Sequence, residues 1–270
     1  MDDLVGLAEK SRVFDLAQPY FVGMPHFPTH PPFLYGLTKK HGDFVLPAGG
    51  SSAAESIALG GHVGTHIDAL CHFSCGGKLY GGIEAEAVQS YGGGVRKLSV
   101  DTVAPIVRRG ILLDIAALHG APLPADFVIT PQDMEAALWK QGTACREGDV
   151  VLLRTGWARY WENQALYLHA GSGSAVAGPG PEIDGARWLT GRKIFAAGSD
   201  TIAFERMPSR DMEVHVHLLV QSGVHILEAL NLEELAAESV YEFLLIAAPL
   251  KIRGGTGAPI RPLALAPRES

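Results

Sequence analysis

GGHVGTHIDALCHF, residues 60–73, carries His62, His66, Asp68 and His72 in the pattern HxxxHxDxxxH. On one helix His62 and His66 share a face. Asp68, however, falls roughly 200° round from His66 at 3.6 residues per turn, so a helix cannot aim all three at one ion. On a straight strand the four share a face, yet four residues of extended chain span about 13 Å, too far for His62 and His66 to meet at one metal. The segment must therefore bend, and Gly64, with Gly60 and Gly61 before it, tolerates the positive φ that a bend demands. Beyond the bend His66 and Asp68 stand side by side, with His62 folded back towards them. Two neutral imidazoles and one carboxylate, leaving positions for water and substrate, suit catalytic Zn, Mn or Fe(II). Histidines bonded locally at a turn, with Asp68 as a cap, explain one such residue but not the whole cluster.

Outward from this segment, short β-rich runs alternate with longer helical patterns. The expected strands are Val13 to Ala17, Ser56 to Leu59, Ile111 to Ile115, Val150 to Leu153, Ile194 to Ala197, Val224 to Leu227 and Phe243 to Ala247. Thr130 then Pro131 reads as an N-cap with proline at the first helical position, opening a helix through Trp139 that Gly142 ends. Ile183 to Thr190 and Met212 to Gln221, the latter stopped by Gly223, are further helices, so the class is mixed α/β without the regular spacing of a barrel.

Pro19 to Gly50 is rich in proline and glycine and carries Tyr20, Phe21, Phe27, Phe33 and Tyr35. Its prolines forbid a continuous helix or central strand, so residues 19–50 are expected as a long ordered loop. Loops of that length are usually functional. Phe27 and Phe33, with Trp157 from later in the chain, are expected to wall a pocket for a flat ligand, although the same rings also serve to pin a loop to the body. A second loop, Gly171 to Pro181, is expected to border the site.

The 270 residues, 28.7 kDa, are 47% hydrophobic and 19% charged, an ordinary globular composition expected to form one domain, residues 1–270. A net charge of −7 without a basic cluster excludes the electrostatic footprint of a nucleic-acid binder. Cys71, Cys75 and Cys145 are odd in number and lack CxxC spacing, which fits a reducing cytoplasm. The acidic start MDDLVGLAEK shows no export signal. The longest apolar run, Phe243 to Leu250, falls far short of the roughly 20 residues of a membrane span and is expected as a buried strand.

His62, Gly64, Thr65, His66, Asp68, His72 and Phe73 together read HxGTHxDxxxHF. With RGILLDI (109–115), GDVVLLRTGW (148–157), GSDT (198–201) and GVHILEALNLEEL (223–235), the chain resembles the cyclase family of metal-dependent hydrolases, which includes bacterial kynurenine formamidases and isatin hydrolases. The resemblance covers most of the chain. It implies a swivelling β/β/α domain, a compact mixed sheet with barrel-like curvature and flanking helices, commonly a homodimer. It implies that His62, His66 and Asp68 are metal ligands and that His72 shuttles protons.

Members with two metals add a downstream His and Glu. Here Glu228 matches the Glu, and the apolar run before it marks a buried carboxylate with a partner, counted with His72 as catalytic. The His is His215 or His217, about 200° apart on a helix from Met212, so only one can face the site; His215 is preferred. Asp200 and Glu205 are either supporting acids or loop charges. Cys71 and Cys75 read as packing residues rather than nucleophiles.

A divalent metal, Mn or Zn, lowers the pKa of its water towards neutrality and polarises the substrate carbonyl. His72 then moves the proton to the departing amide nitrogen. The chain length, the aromatic N-terminal stretch and Leu70, in DALCH where formamidases have DAPxH, resemble the isatin hydrolase branch. Opening of an aryl lactam, isatin to isatinate, by metal-bound hydroxide is the first expectation. N-formylkynurenine, whose zwitterion calls for an arginine clamp from Arg206 or Arg210, is second, and another cyclic amide or ester third. A non-catalytic metal- or ligand-binding protein is the reading from another class; it has no use for His72.

Overall fold

The computed structural model describes residues 2–120, 122–169 and 176–268. The strands of three residues or more are β1 (Ser11–Asp15), β2 (Leu34–Lys39), β3 (Ala54–Ala58), β4 (His66–Asp68), β5 (Ile106–Asp114) and β6 (Val150–Arg154), followed by β7 (Ala196–Ser199), β8 (His225–Glu228), β9 (Glu242–Ala247), β10 (Gly257–Pro259) and β11 (Leu263–Pro267). All but β2 and β3 join one mixed sheet in the order β1-β11-β9-β5-β6-β7-β8-β4-β10. Strands β5 to β8 run parallel, and the flanking strands are antiparallel. The twist between neighbours accumulates over nine strands into a half barrel with helices on its flank.

The apolar runs of β6 and of the second half of β5, Ile111 to Leu113, follow from burial on both faces, as parallel strands require. Leu112 and Leu152 join a core with Ile67 and Leu227 on one face. Ile111, Leu113, Val151 and Leu153 join another with Ile226, roofed by the helices α1 (Pro131–Gln141) and α2 (Ile183–Gly191). Helix α1 begins in a reciprocal cap: the Thr130 hydroxyl accepts the Asp133 N–H, and the Asp133 carboxylate accepts the Thr130 N–H. Gly142 closes it in the left-handed conformation.

Three expectations are corrected. Residues 19–50 are not all loop, since Leu34–Lys39 pairs with β3 as a separate hairpin off the main sheet; the prolines exclude a central strand, not a peripheral one. The run from Phe243 is buried on one face only, with Leu244 43% and Ile246 36% exposed, because the helices roof the middle of the sheet and not this end. The helix expected from Met212 starts as Glu213–His215 and widens into a π-helix, Val216–Ser222, before Gly223. Among the described residues no helix is long and apolar enough to cross a membrane.

Candidate metal centre

Gly64 adopts φ +68°, and a Cβ there would lie 2.4 Å from the Tyr20 ring, so the bend and its packing both require glycine. The Tyr20 hydroxyl donates to the Thr65 carbonyl (2.8 Å), and the Thr65 hydroxyl donates to the Ala229 carbonyl (2.6 Å), tying the bend to the end of β8. Antiparallel pairing of β4 with β8 then sets His66 opposite Glu228 and Asp68 opposite Ile226. The two-residue period puts His66, Asp68 and Glu228 on one face. On the other edge Gly257 pairs with Asp68, and a Cβ there would lie 2.4 Å from His62, so glycine leaves the space into which His62 folds back.

Three imidazoles have their outer nitrogens held by the protein. His66 Nδ1–H donates to the Gly64 carbonyl (2.8 Å) and His215 Nδ1–H to the Glu205 carboxylate (2.6 Å), tautomers that follow from acceptor-only partners, and His62 Nε2 shares a hydrogen bond with the Thr256 hydroxyl (2.9 Å), in which either group can donate. The remaining nitrogens face one another. His66 Nε2 lies 3.5 Å from Asp68 and 3.3 Å from Glu228, His215 Nε2 lies 3.3 Å from Glu228 and 3.8 Å from Asp68, and His62 Nδ1 lies 2.6 Å from Asp68. His66 Nε2 and Asp68 Oδ2 are buried with no hydrogen-bond partner, which is costly in a low dielectric unless a cation occupies the centre. The donors form two groups sharing Asp68, one with His62 and His72 and one with His66 and Glu228. Mixed imidazole and carboxylate donors fit a divalent transition metal.

Burial opposes charge on each group, and its neighbours decide the outcome. At Asp68, His72, His62 and His66 outweigh burial and hold the carboxyl well below the carboxylate range. At Glu228, His215 and His66 outweigh burial and hold it down to about 2. At His215, Glu205 and Glu228 outweigh burial and push it up to about 10. At His72 burial dominates and pushes it down to about 3, leaving a neutral ring stacked on His62 with centroids 3.8 Å apart.

Phe27, Thr29, His30, Phe73 and Met212 line a cavity of about 190 Å3 against His62, His72, His215 and Glu228. Phe27 thus lines the cavity beside the cluster. Phe33 does not: it packs with Tyr20 and lines a separate apolar cavity beside Phe21, Ile57 and Leu59. Nor does Trp157, 3% exposed, whose indole donates to the Leu123 carbonyl beside Tyr160 and Tyr167. His217 bonds Thr190 and Gln221 outside the cluster. Glu205 supports His215, whereas Asp200 accepts the N–H groups of Thr155, Gly156 and Trp157. Arg206 pairs with Glu182, and Arg210 is exposed; both border a different cavity. Burial pushes Cys71 up to about 11, an inert thiol. Of the loop Gly171 to Pro181, residues 171–175 lie outside the described residues, and Gly178 bridges to Met207. Sequence reasoning missed His30 and Thr256; the long aromatic stretch is the signal for the first, and Thr256 lies 194 positions from His62 with no local cue.

The family model described as "Putative cyclase" matches residues 14–206. The isatin hydrolase of Roseibium aggregatum is 31% identical over 216 residues, 78% of this chain and 74% of that protein. A kynurenine formamidase of Bacillus cereus is 26% identical over 254 residues, 93% and 96%. Among solved structures, one titled a novel cyclase superposes with TM-score 0.86 at 30% identity, covering 98% of this chain and 90% of that one. Isatin hydrolase A from Labrenzia aggregata, bound to benzyl benzoate, gives 0.77 at 27% identity and 99% of both. The chain belongs to the cyclase family of metal-dependent hydrolases.

Proposed function

We propose that the protein is a metal-dependent amidohydrolase that opens a small aryl lactam, isatin first, acting in the cytoplasm as a homodimer of one-domain subunits. The observation that carries this reading is the inward convergence of His62, His66, His215, Asp68 and Glu228, two of whose buried atoms have no hydrogen-bond partner in the protein, beneath a small cavity that His72 also lines. Those five residues would hold the cation, Mn or Zn. When bound, it supplies an activated water and polarises the amide carbonyl.

The chain's own groups do the rest. Glu205 and Thr256 fix two imidazoles in orientation. Glu228 fits a donor better than a proton carrier: one oxygen accepts the Phe204 N–H (2.7 Å), and its two oxygens face His215 and His66. His72, neutral and beside the cluster, takes a proton from the attacking water and returns it to the departing nitrogen. The cavity is smaller than the roughly 300–1,000 Å3 of drug-sized sites and has no Lys or Arg among its lining residues, which favours a small uncharged substrate.

N-formylkynurenine is the second reading, favoured by a formamidase relative that matches 93% of the chain; Arg206 and Arg210, outside the cavity, offer its carboxylate no clamp. Incubation with isatin, N-formylkynurenine and aryl esters, followed by absorbance, should give fastest turnover of isatin, abolished by prolonged chelation and restored by Mn or Zn. Full activity at undetectable metal content removes the reading. A kcat/KM tenfold higher for N-formylkynurenine, about 1.4 kcal/mol, reverses the substrate ranking.

A further inference from the structure

The aromatic N-terminal stretch brings to the cavity one polar ring that the mechanism above leaves without a task. His30 N–H donates to the Phe27 carbonyl (2.8 Å), closing a turn that presents both side chains to the same cavity. The His30 ring centroid lies 5.3 Å from that of His62, 6.3 Å from that of His72 and 5.6 Å from the Phe27 ring, so it lines the cavity beside the cluster. Its Nδ1 is buried and has no hydrogen-bond partner in the protein. Buried ring nitrogens are ordinarily satisfied, so an imidazole that lines a cavity and has an unpaired nitrogen is a group that can turn to pair with what enters.

We propose that His30 is a substrate-contacting residue whose imidazole hydrogen-bonds the polar edge of the substrate, the amide group or the carbonyl beside it, while Phe27 packs on the ring face. This rests on the hydrolase reading and narrows its substrate class to flat amides with a second polar group next to the scissile bond. An aryl ester with nothing but its scissile carbonyl gains no bond from His30.

The test compares wild type, His30→Phe and His30→Asn on isatin and on phenyl acetate, with metal content and melting temperature measured alongside. Phe keeps an aromatic wall without nitrogen, and Asn restores a hydrogen-bonding group near the position of Nδ1. His30→Phe should lower kcat/KM for isatin about tenfold, mainly through KM, with metal content, melting temperature and ester turnover unchanged, and His30→Asn should recover most of the loss. An active wild type whose Phe variant is unchanged on isatin overturns the assignment and leaves the hydrolase reading standing. Equal losses in Phe and Asn, or equal losses on both substrates, also overturn it, because packing and not a hydrogen bond is then at stake. A wild type inactive on both substrates removes the hydrolase reading and the assignment with it.

Discussion

Asp68 and His72 sit four residues apart and are both driven downward by one environment, with opposite results for charge: surrounding imidazoles keep the carboxylate charged, and burial keeps the ring neutral. Their substitutions should therefore separate. Asp68→Ala removes the donor common to both groups and should abolish metal retention. His72→Ala should keep most of the metal and lose turnover by about 10²–10⁴-fold, the range of general acid–base groups. Elemental analysis beside a rate assay decides it, and equal metal loss in both variants makes His72 a ligand. Glu205 acts one step further out, through two bonds to His215, Nδ1 at 2.6 Å and the backbone N–H at 2.9 Å. Glu205→Ala should weaken metal affinity about 10–100-fold in competition with a chelator. An unchanged affinity with reduced activity would contradict a positioning role.

Among the elements, α1 offers the cleanest measurement, because its reciprocal cap lies away from the metal centre. Thr130→Ala should cost about 1 kcal/mol, or about 2–4 °C in Tm for a chain of this size. Burial raises the Asp133 carboxyl, but the Thr130 hydroxyl and N–H and His119 outweigh it and hold it below its ordinary value of 3.8. A depressed carboxyl contributes stability that is full above that ordinary value and lost as pH falls below it. The gap between wild type and Thr130→Ala should thus narrow in acid; a gap that widens there would contradict the cap. This helix was legible because Thr130, Pro131 and Gly142 act through local backbone geometry, and so was the bend at Gly64. Strand β6 and the Ile111 to Leu113 part of β5 were legible because burial on both faces writes continuous apolar runs; Ile106 to Gly110, with Arg108 and Arg109, were not. Phe33 and Trp157 were misplaced for the opposite reason: a ring in the sequence reports that it will be buried, not against which wall. His30 and Thr256 reach the site by long-range closure of the chain, and no local spacing encodes it.

At the scale of the molecule, the cluster joins segments from residue 62 to residue 228, and its members are at most 8% exposed, so its charge state bears on the stability of the whole sheet. Without a cation, His215 draws stability from Glu205 and Glu228. Its folded value is raised from 6.5 to about 10, so that stability is full below 6.5 and lost as pH rises through about 10. A cation replaces that proton and needs the ring neutral, so protons compete with it and its hold tightens as pH rises. A cation at about 100 times its Kd stabilises by about 2.7 kcal/mol, on the order of 5–10 °C for a chain of this length. Melting curves of chelator-treated protein with and without excess Mn, at pH 6 and pH 8, should both show an upward shift, and the larger one at pH 8. A shift that is absent would argue against a buried cation at this cluster, and one that is larger at pH 6 would contradict competition between protons and the cation for its imidazoles.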